Sequence, residues 1–92
     1  MNPELKFRCL ITVEAEVDPQ LPGRILDLVT VRGCLPEWFS VRKRRPDAIR
    51  VSLELLELDE YDANLLTQKI LKMPTVLDVE RTWLGQRDQI AA

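Results

Sequence analysis

The stretch Phe7-Arg8-Cys9-Leu10-Ile11-Thr12-Val13-Glu14-Ala15-Glu16-Val17 runs directly into Asp18-Pro19-Gln20-Leu21-Pro22-Gly23-Arg24-Ile25-Leu26. In the first half Phe7, Cys9, Ile11, Val13, Ala15 and Val17 share one parity; Arg8, Leu10, Thr12, Glu14 and Glu16 take the other. Period-2 alternation built from β-formers predicts a strand buried on one face. Two prolines and a glycine between Asp18 and Gly23 then remove backbone donors and force a turn. Beyond them the period lengthens. Leu21, Ile25, Leu28 and Val29 fall on one helical face, and Gly33 stands where a glycine commonly ends a helix.

Outward from this stretch the pattern repeats. Leu35-Pro36-Glu37 leads to an extended segment, Trp38 to Arg44, with Phe39 and Val41 on one parity and Ser40, Arg42 and Arg44 on the other. Arg45-Pro46-Asp47 has the chemistry of a hairpin turn. Its partner runs from Ala48 to Leu58, with Ile49, Val51, Leu53 and Leu55 facing one way and Arg50, Ser52, Glu54 and Leu56 the other. Asp59 reads as a helix N-cap, with Asp62 placed to reach back toward the cap amide. Ala63, Leu66, Ile70 and Met73 form the apolar stripe of that helix, which Pro74 ends. A last strand spans Val76 to Trp83, with Leu77, Val79 and Trp83 on one parity. The order is β-α-β-β-α-β, and each strand has one apolar face. Two helices covering one side of an antiparallel sheet, joined by right-handed crossovers, make a ferredoxin-like α+β sandwich with strand order 4-1-3-2. The expectation is one domain over residues 1–92, with its core in 7–83 and a frayed polar tail at 84–92.

Composition narrows the function. There are 92 residues, 13 Lys+Arg against 15 Asp+Glu, two cysteines and no histidine. Without imidazole there is no Ser-His or Cys-His couple and no His-ligated zinc. Cys9 and Cys34 lack metal-ligand spacing, so neither a metal site nor a catalytic residue is expected, and no cofactor. Unpaired thiols fit a reducing cytoplasm. The start Met1-Asn2-Pro3-Glu4 has no signal-peptide pattern, and no apolar run approaches the roughly 20 residues a membrane span requires. Nucleic acid is disfavoured as well. The net charge is −2, and the open parity of the two central strands carries carboxylates and no aromatic on which a base could stack.

Two regions remain as candidate surfaces. At Gln20, Leu21, Pro22, Gly23, Arg24, Ile25 and Leu26, exposed amides and the positive end of the helix dipole favour a carboxylate, and Gly23 permits close approach. Pro22 and Gly23 equally suit a plain helix start. The run Arg42-Lys43-Arg44-Arg45 is the one dense charge cluster, on an edge strand that opens with Trp38 and Phe39. It reads as edge protection, as a docking surface for an acidic partner, or as a phosphate contact. Trp38, Phe39, Arg42, Arg44 and Arg45 are therefore interface candidates, with the edge expected to pair two protomers into an eight-stranded sheet. Trp83 reads as a cap on the core, Cys9 as core, and the carboxylates Glu14, Glu16, Glu54 and Glu57 as solvated.

The run Gln20-Leu21-Pro22-Gly23-Arg24-Ile25-Leu26, with Val31-Arg32-Gly33 after it and Val76-Leu77-Asp78-Val79-Glu80 near the end, resembles the ACT domain family. The likeness spans Phe7 to Trp83. Among ACT proteins of this length it looks most like the small regulatory subunits of acetolactate synthases. That resemblance implies a non-catalytic homodimer that binds a large thiamine-diphosphate-dependent catalytic subunit of branched-chain amino-acid biosynthesis, and an amino-acid effector at residues 20–26. The sequence departs from the family pattern at Gln20, where Asp or Asn is usual, and at Leu35 and Pro36, where a Gly-x-Asn-Ile-Glu stretch is common. An ACT-like ligand-binding or protein-interaction module with a different partner is the second reading. A small ferredoxin-like enzyme is the third, opposed by the absence of histidine and the single tyrosine, Tyr61.

Overall fold

A computed structural model describes residues 7–86 of the chain. The elements run β1 (Phe7–Glu16), α1 (Leu21–Thr30), β2 (Trp38–Arg45), β3 (Ala48–Leu56), α2 (Glu60–Leu71) and β4 (Val76–Gln86). They form one four-stranded sheet in the order β2-β3-β1-β4, antiparallel at every pairing. The ferredoxin-like βαββαβ fold read from the sequence is the one observed. β4 continues past Trp83 to Gln86, and residues 87–92 of the expected tail lie outside the described residues.

The core follows from the alternation. Cys9, Ile11, Val13 and Ala15 of β1 and Ile49, Val51, Leu53 and Leu55 of β3 are buried against Leu21, Ile25 and Val29 of α1 and Ala63, Leu66 and Ile70 of α2. Each large aliphatic side chain buried here contributes roughly 1.5–3 kcal/mol relative to exposure. Asp59 caps α2: its Oδ1 accepts from the Asp62 N–H at 2.8 Å. The Asp62 carboxylate turns to Arg32 Nη1 at 3.4 Å instead of reaching back to the cap amide. That ion pair ties the segment just after α1 to the first turn of α2. Gly33, at φ 82°, ends the α1 excursion in the left-handed region, which glycine enters without a Cβ penalty.

Two readings are corrected, the direction of Leu77 and the solvation of Glu54. The β1–β4 register shifts between Glu14 and Ala15, so Val76 pairs with Ala15 and packs on the core. The shift turns Leu77 outward, 61% exposed, rather than inward with Val79. Opposite Ile11, on the helix-facing parity, stands Arg81, whose Nη1 donates to Asn64 Oδ1 of α2. Glu54 is not solvated; only 7% of it is exposed. Its carboxylate accepts from Arg8 Nε and from Trp38 Nε1, the latter at 2.7 Å, so a charge on the helix-free face is enclosed by its cross-strand neighbours.

Candidate functional site

The loop after β1, the β2–β3 hairpin tip and the turn before β4 converge at one end of the sheet. Val17 donates its N–H to the Asp47 carbonyl at 3.2 Å, and Glu16 donates to the Thr75 carbonyl at 2.9 Å. Asp18 is the hub. Its Oδ1 accepts from the Gln20 N–H at 3.0 Å, its Oδ2 from Thr75 Oγ1 at 2.9 Å, and its carbonyl from the Leu21 N–H at 3.1 Å. A short acidic side chain that bonds its own backbone two residues on makes the turn that Asp-Pro encodes. The bond to Thr75, 57 residues away, is invisible in local sequence.

This network decides which of the seven candidate ligand residues are available. Leu21 and Ile25 are core side chains, fully buried. Pro22 and Leu26 are half-buried, and Gln20, Gly23 and Arg24 are exposed. Gln20 occupies the cap position without a side-chain cap; its Oε1 instead accepts from Arg24 Nη2 at 3.2 Å. The Gln20, Leu21 and Arg24 amides are taken by Asp18 and Gln20, and Pro22 has no N–H. Gly23 is left with the first-turn N–H that has no partner among the described residues, and nothing lies within 4 Å of the position its Cβ would occupy. The sequence pointed to a row of open amides; the structure offers one, at an unobstructed glycine.

The basic run sits at this same end. Arg44 and Arg45, with Glu14 and Ala48, line an open groove of about 200 Å³ beside the hairpin. Arg42, Lys43, Arg44 and Arg45 are all exposed, and among the described residues the one ion pair they make is a loose one, Arg45 Nε to Asp47 Oδ1 at 4.0 Å. Trp38 and Phe39 part company. Phe39 turns inward against the core opposite Leu53, whereas Trp38 lies on the helix-free face, 43% exposed. Edge placement leaves Val41 exposed despite sharing the parity of Phe39.

At the opposite end Gly33, Cys34, Leu35, Glu37, Leu56 and Glu57 line a second open groove of about 290 Å³. Glu57 there adopts φ 61°. Cys34 is half-buried and Cys9 fully buried, and burial pushes the Cys9 thiol up, partly offset by the positive charge of Arg81. No group of three or more metal-ligating side chains occurs among the described residues, and none of their helices is long and apolar enough to cross a membrane.

No protein-family model matches the chain, and no curated protein sequence matches it. Solved structures do. The crystal structure of the ACT domain from GTP pyrophosphokinase of Chlorobium tepidum superimposes with a TM-score of 0.71 at 16% identity, covering 84% of this chain and 99% of that one. The C-terminal domain of the MgtC protein from Mycobacterium tuberculosis gives 0.71 at 12% identity, over 92% and 94% of the two chains. A putative antibiotic biosynthesis monooxygenase from Bacillus cereus gives 0.52 at 9% identity, over 90% and 94%. At such identities the likeness shows the fold: the chain has an ACT-like βαββαβ fold.

Proposed function

We propose that this chain is a non-catalytic regulatory domain that acts as a homodimer on a partner enzyme. The observation that carries the reading is the Asp18-centred network. It fixes the loop between β1 and α1 against Thr75 and leaves the Gly23 N–H at the helix start without a partner among the described residues. An amino acid's carboxylate is the ligand class that such an amide and the helix dipole favour. Arg24, exposed one residue on, adds a positive charge. The effector sites are then Gln20, Gly23 and Arg24, with Pro22 and Leu26 at the margin, while Leu21 and Ile25 act only by placing the helix. The resemblance of residues 20–26, 31–33 and 76–80 to ACT domains, in a chain as short as the small regulatory subunits of acetolactate synthases, supports a large thiamine-diphosphate-dependent enzyme as partner, in the cytoplasm.

Effector binding would act by stabilising one assembly geometry over another, through its differential affinity for the two. Two measurements test this. The purified chain should raise the activity of the large thiamine-diphosphate enzyme from its own genome and co-elute with it; absence of both removes that partner. Leu, Ile or Val at millimolar concentration should raise the melting temperature, since a ligand at about ten times its Kd adds about 1.4 kcal/mol. No shift with any amino acid removes the effector, and Gly23→Ala should abolish a shift that does occur.

A further inference from the structure

The face of the sheet away from the helices carries an ordered charge pattern. Strand pairing aligns Arg42, Arg50, Glu14 and Asp78 in one row across β2, β3, β1 and β4. The next rows are Ser40, Ser52, Thr12, Glu80 and then Trp38, Glu54, Leu10, Thr82. The first row therefore reads plus, plus, minus, minus. Its inner members pair, Arg50 Nε with a Glu14 carboxylate oxygen. Its outer members, Arg42 and Asp78, have no ion pair among the described residues, and each stands directly opposite a like charge. Like charges directly opposite in a sheet are unfavourable within one protomer.

The pattern is self-complementary about one axis. A two-fold lying against the face, parallel to the strands and between β3 and β1, sets β2 over the partner's β4 and keeps each row over itself. Arg42 then meets Asp78 of the partner subunit, and Arg50 meets Glu14 of the partner subunit. Ser40 meets Glu80 of the partner subunit, and the Trp38, Leu10 and Leu56 end of one face meets the same end of the other. A two-fold across the strands would instead place the charged row over the Trp38 end. We propose that two copies of this chain associate through these open sheet faces about the strand-parallel axis. Sheets packed face to face align within about 30° at about 10 Å separation, within reach of arginine across to aspartate. Four strands about 4.8 Å apart give a plan area of about 500–600 Å² before side-chain relief, the scale of a small dimer interface.

The face suits a second copy better than the β2 edge does. That edge presents four successive cations and an irregular pairing between Lys43 and Arg45, both devices that keep an edge unpaired. Using both interfaces would not close, because the two axes do not meet and the contacts would propagate into a fibre. The proposal gives the homodimer of the proposed function its interface and does not depend on the effector or the partner enzyme.

Sedimentation velocity of the full chain from about 1 to 100 µM tests the interface. The native chain should dimerise, and Asp78→Arg should weaken the dimer about tenfold, because symmetry turns two attractive pairs repulsive. Adding Arg42→Glu to Asp78→Arg should restore it. A native monomer throughout this range overturns the proposal. So does an unchanged dimer in Asp78→Arg, the result for pairing through the β2 edge, since Asp78 lies on the far strand; so does failure of the double variant to recover. Should circular dichroism show Asp78→Arg unfolded, Arg42→Glu alone and the double variant carry the same comparison. A native monomer also removes the homodimer from the proposed function, whereas a dimer insensitive to Asp78→Arg removes this interface alone; effector shifts and partner activation are read separately.

Discussion

Arg8→Ala should destabilise this domain far more than its place near the start of an outer face suggests. The side chain of Glu54 is 9% exposed and that of Arg8 19%, so the pair sits largely out of water. Truncating Arg8 leaves a carboxylate in that enclosure with one donor among the described residues, Trp38 Nε1. A hydrogen bond to a charged group is worth about 1.5–3 kcal/mol, and stranding a wholly buried charge costs about 3–5 kcal/mol. Because Arg8 is partly solvated and its removal admits water, the expected loss is about 2 kcal/mol. For a domain of this size that is about 10 °C in melting temperature. Glu54→Leu should cost less, about 1 kcal/mol, since the Arg8 head can extend into water and the half-exposed Trp38 N–H can donate to it. Combining Arg8→Met with Glu54→Leu, beside Leu10 and Leu56, should return stability to within about 1 kcal/mol of the native chain. Urea unfolding followed by circular dichroism at one fixed protein concentration gives all three values. Strictly additive effects, or an Arg8→Ala loss below about 0.5 kcal/mol, would refute the view that a desolvated carboxylate drives the penalty.

Asp18→Ala removes acceptors for the Gln20 N–H and Thr75 Oγ1 and should cost about 1–2 kcal/mol, with faster amide exchange concentrated at residues 16–20. Gly33→Ala should cost about 1 kcal/mol in the same unfolding assay. Nothing crowds the new Cβ, so the penalty is that of φ 82° alone. A thiol reagent should modify Cys34 in the native protein and Cys9 only on unfolding. Because burial raises the Cys9 pKa in the folded state, the unfolded chain loses that proton first as pH climbs. Stability should therefore be full below the ordinary thiol range and fall as pH rises through it toward the native value, a dependence Cys9→Ala removes.

The sequence by itself determined the fold. Alternation in Phe7–Val17 and Ala48–Leu58, helical spacing in Leu21–Val29 and Ala63–Met73, and turn residues between them all agree, and local patterns that agree leave few topologies. It also located the cap at Asp59 and placed the turn that holds Gly23, but it put Trp38 and Phe39 forward together and left to the structure which of them faces away from the core. What it could not supply was direction and partnership across strands. A register shift between Glu14 and Ala15 sent Leu77 outward, and parity cannot see a bulge made by pairing. Glu54 looks like any carboxylate on an open strand until Arg8 and Trp38 close over it from separate strands. Asp18 becomes a hub only when Thr75 arrives from the other end of the chain, and the row Arg42, Arg50, Glu14, Asp78 exists in no stretch of sequence at all. Periodicity is a property of neighbours along the chain, whereas enclosure and charge alignment belong to neighbours in space, which only the folded sheet brings together.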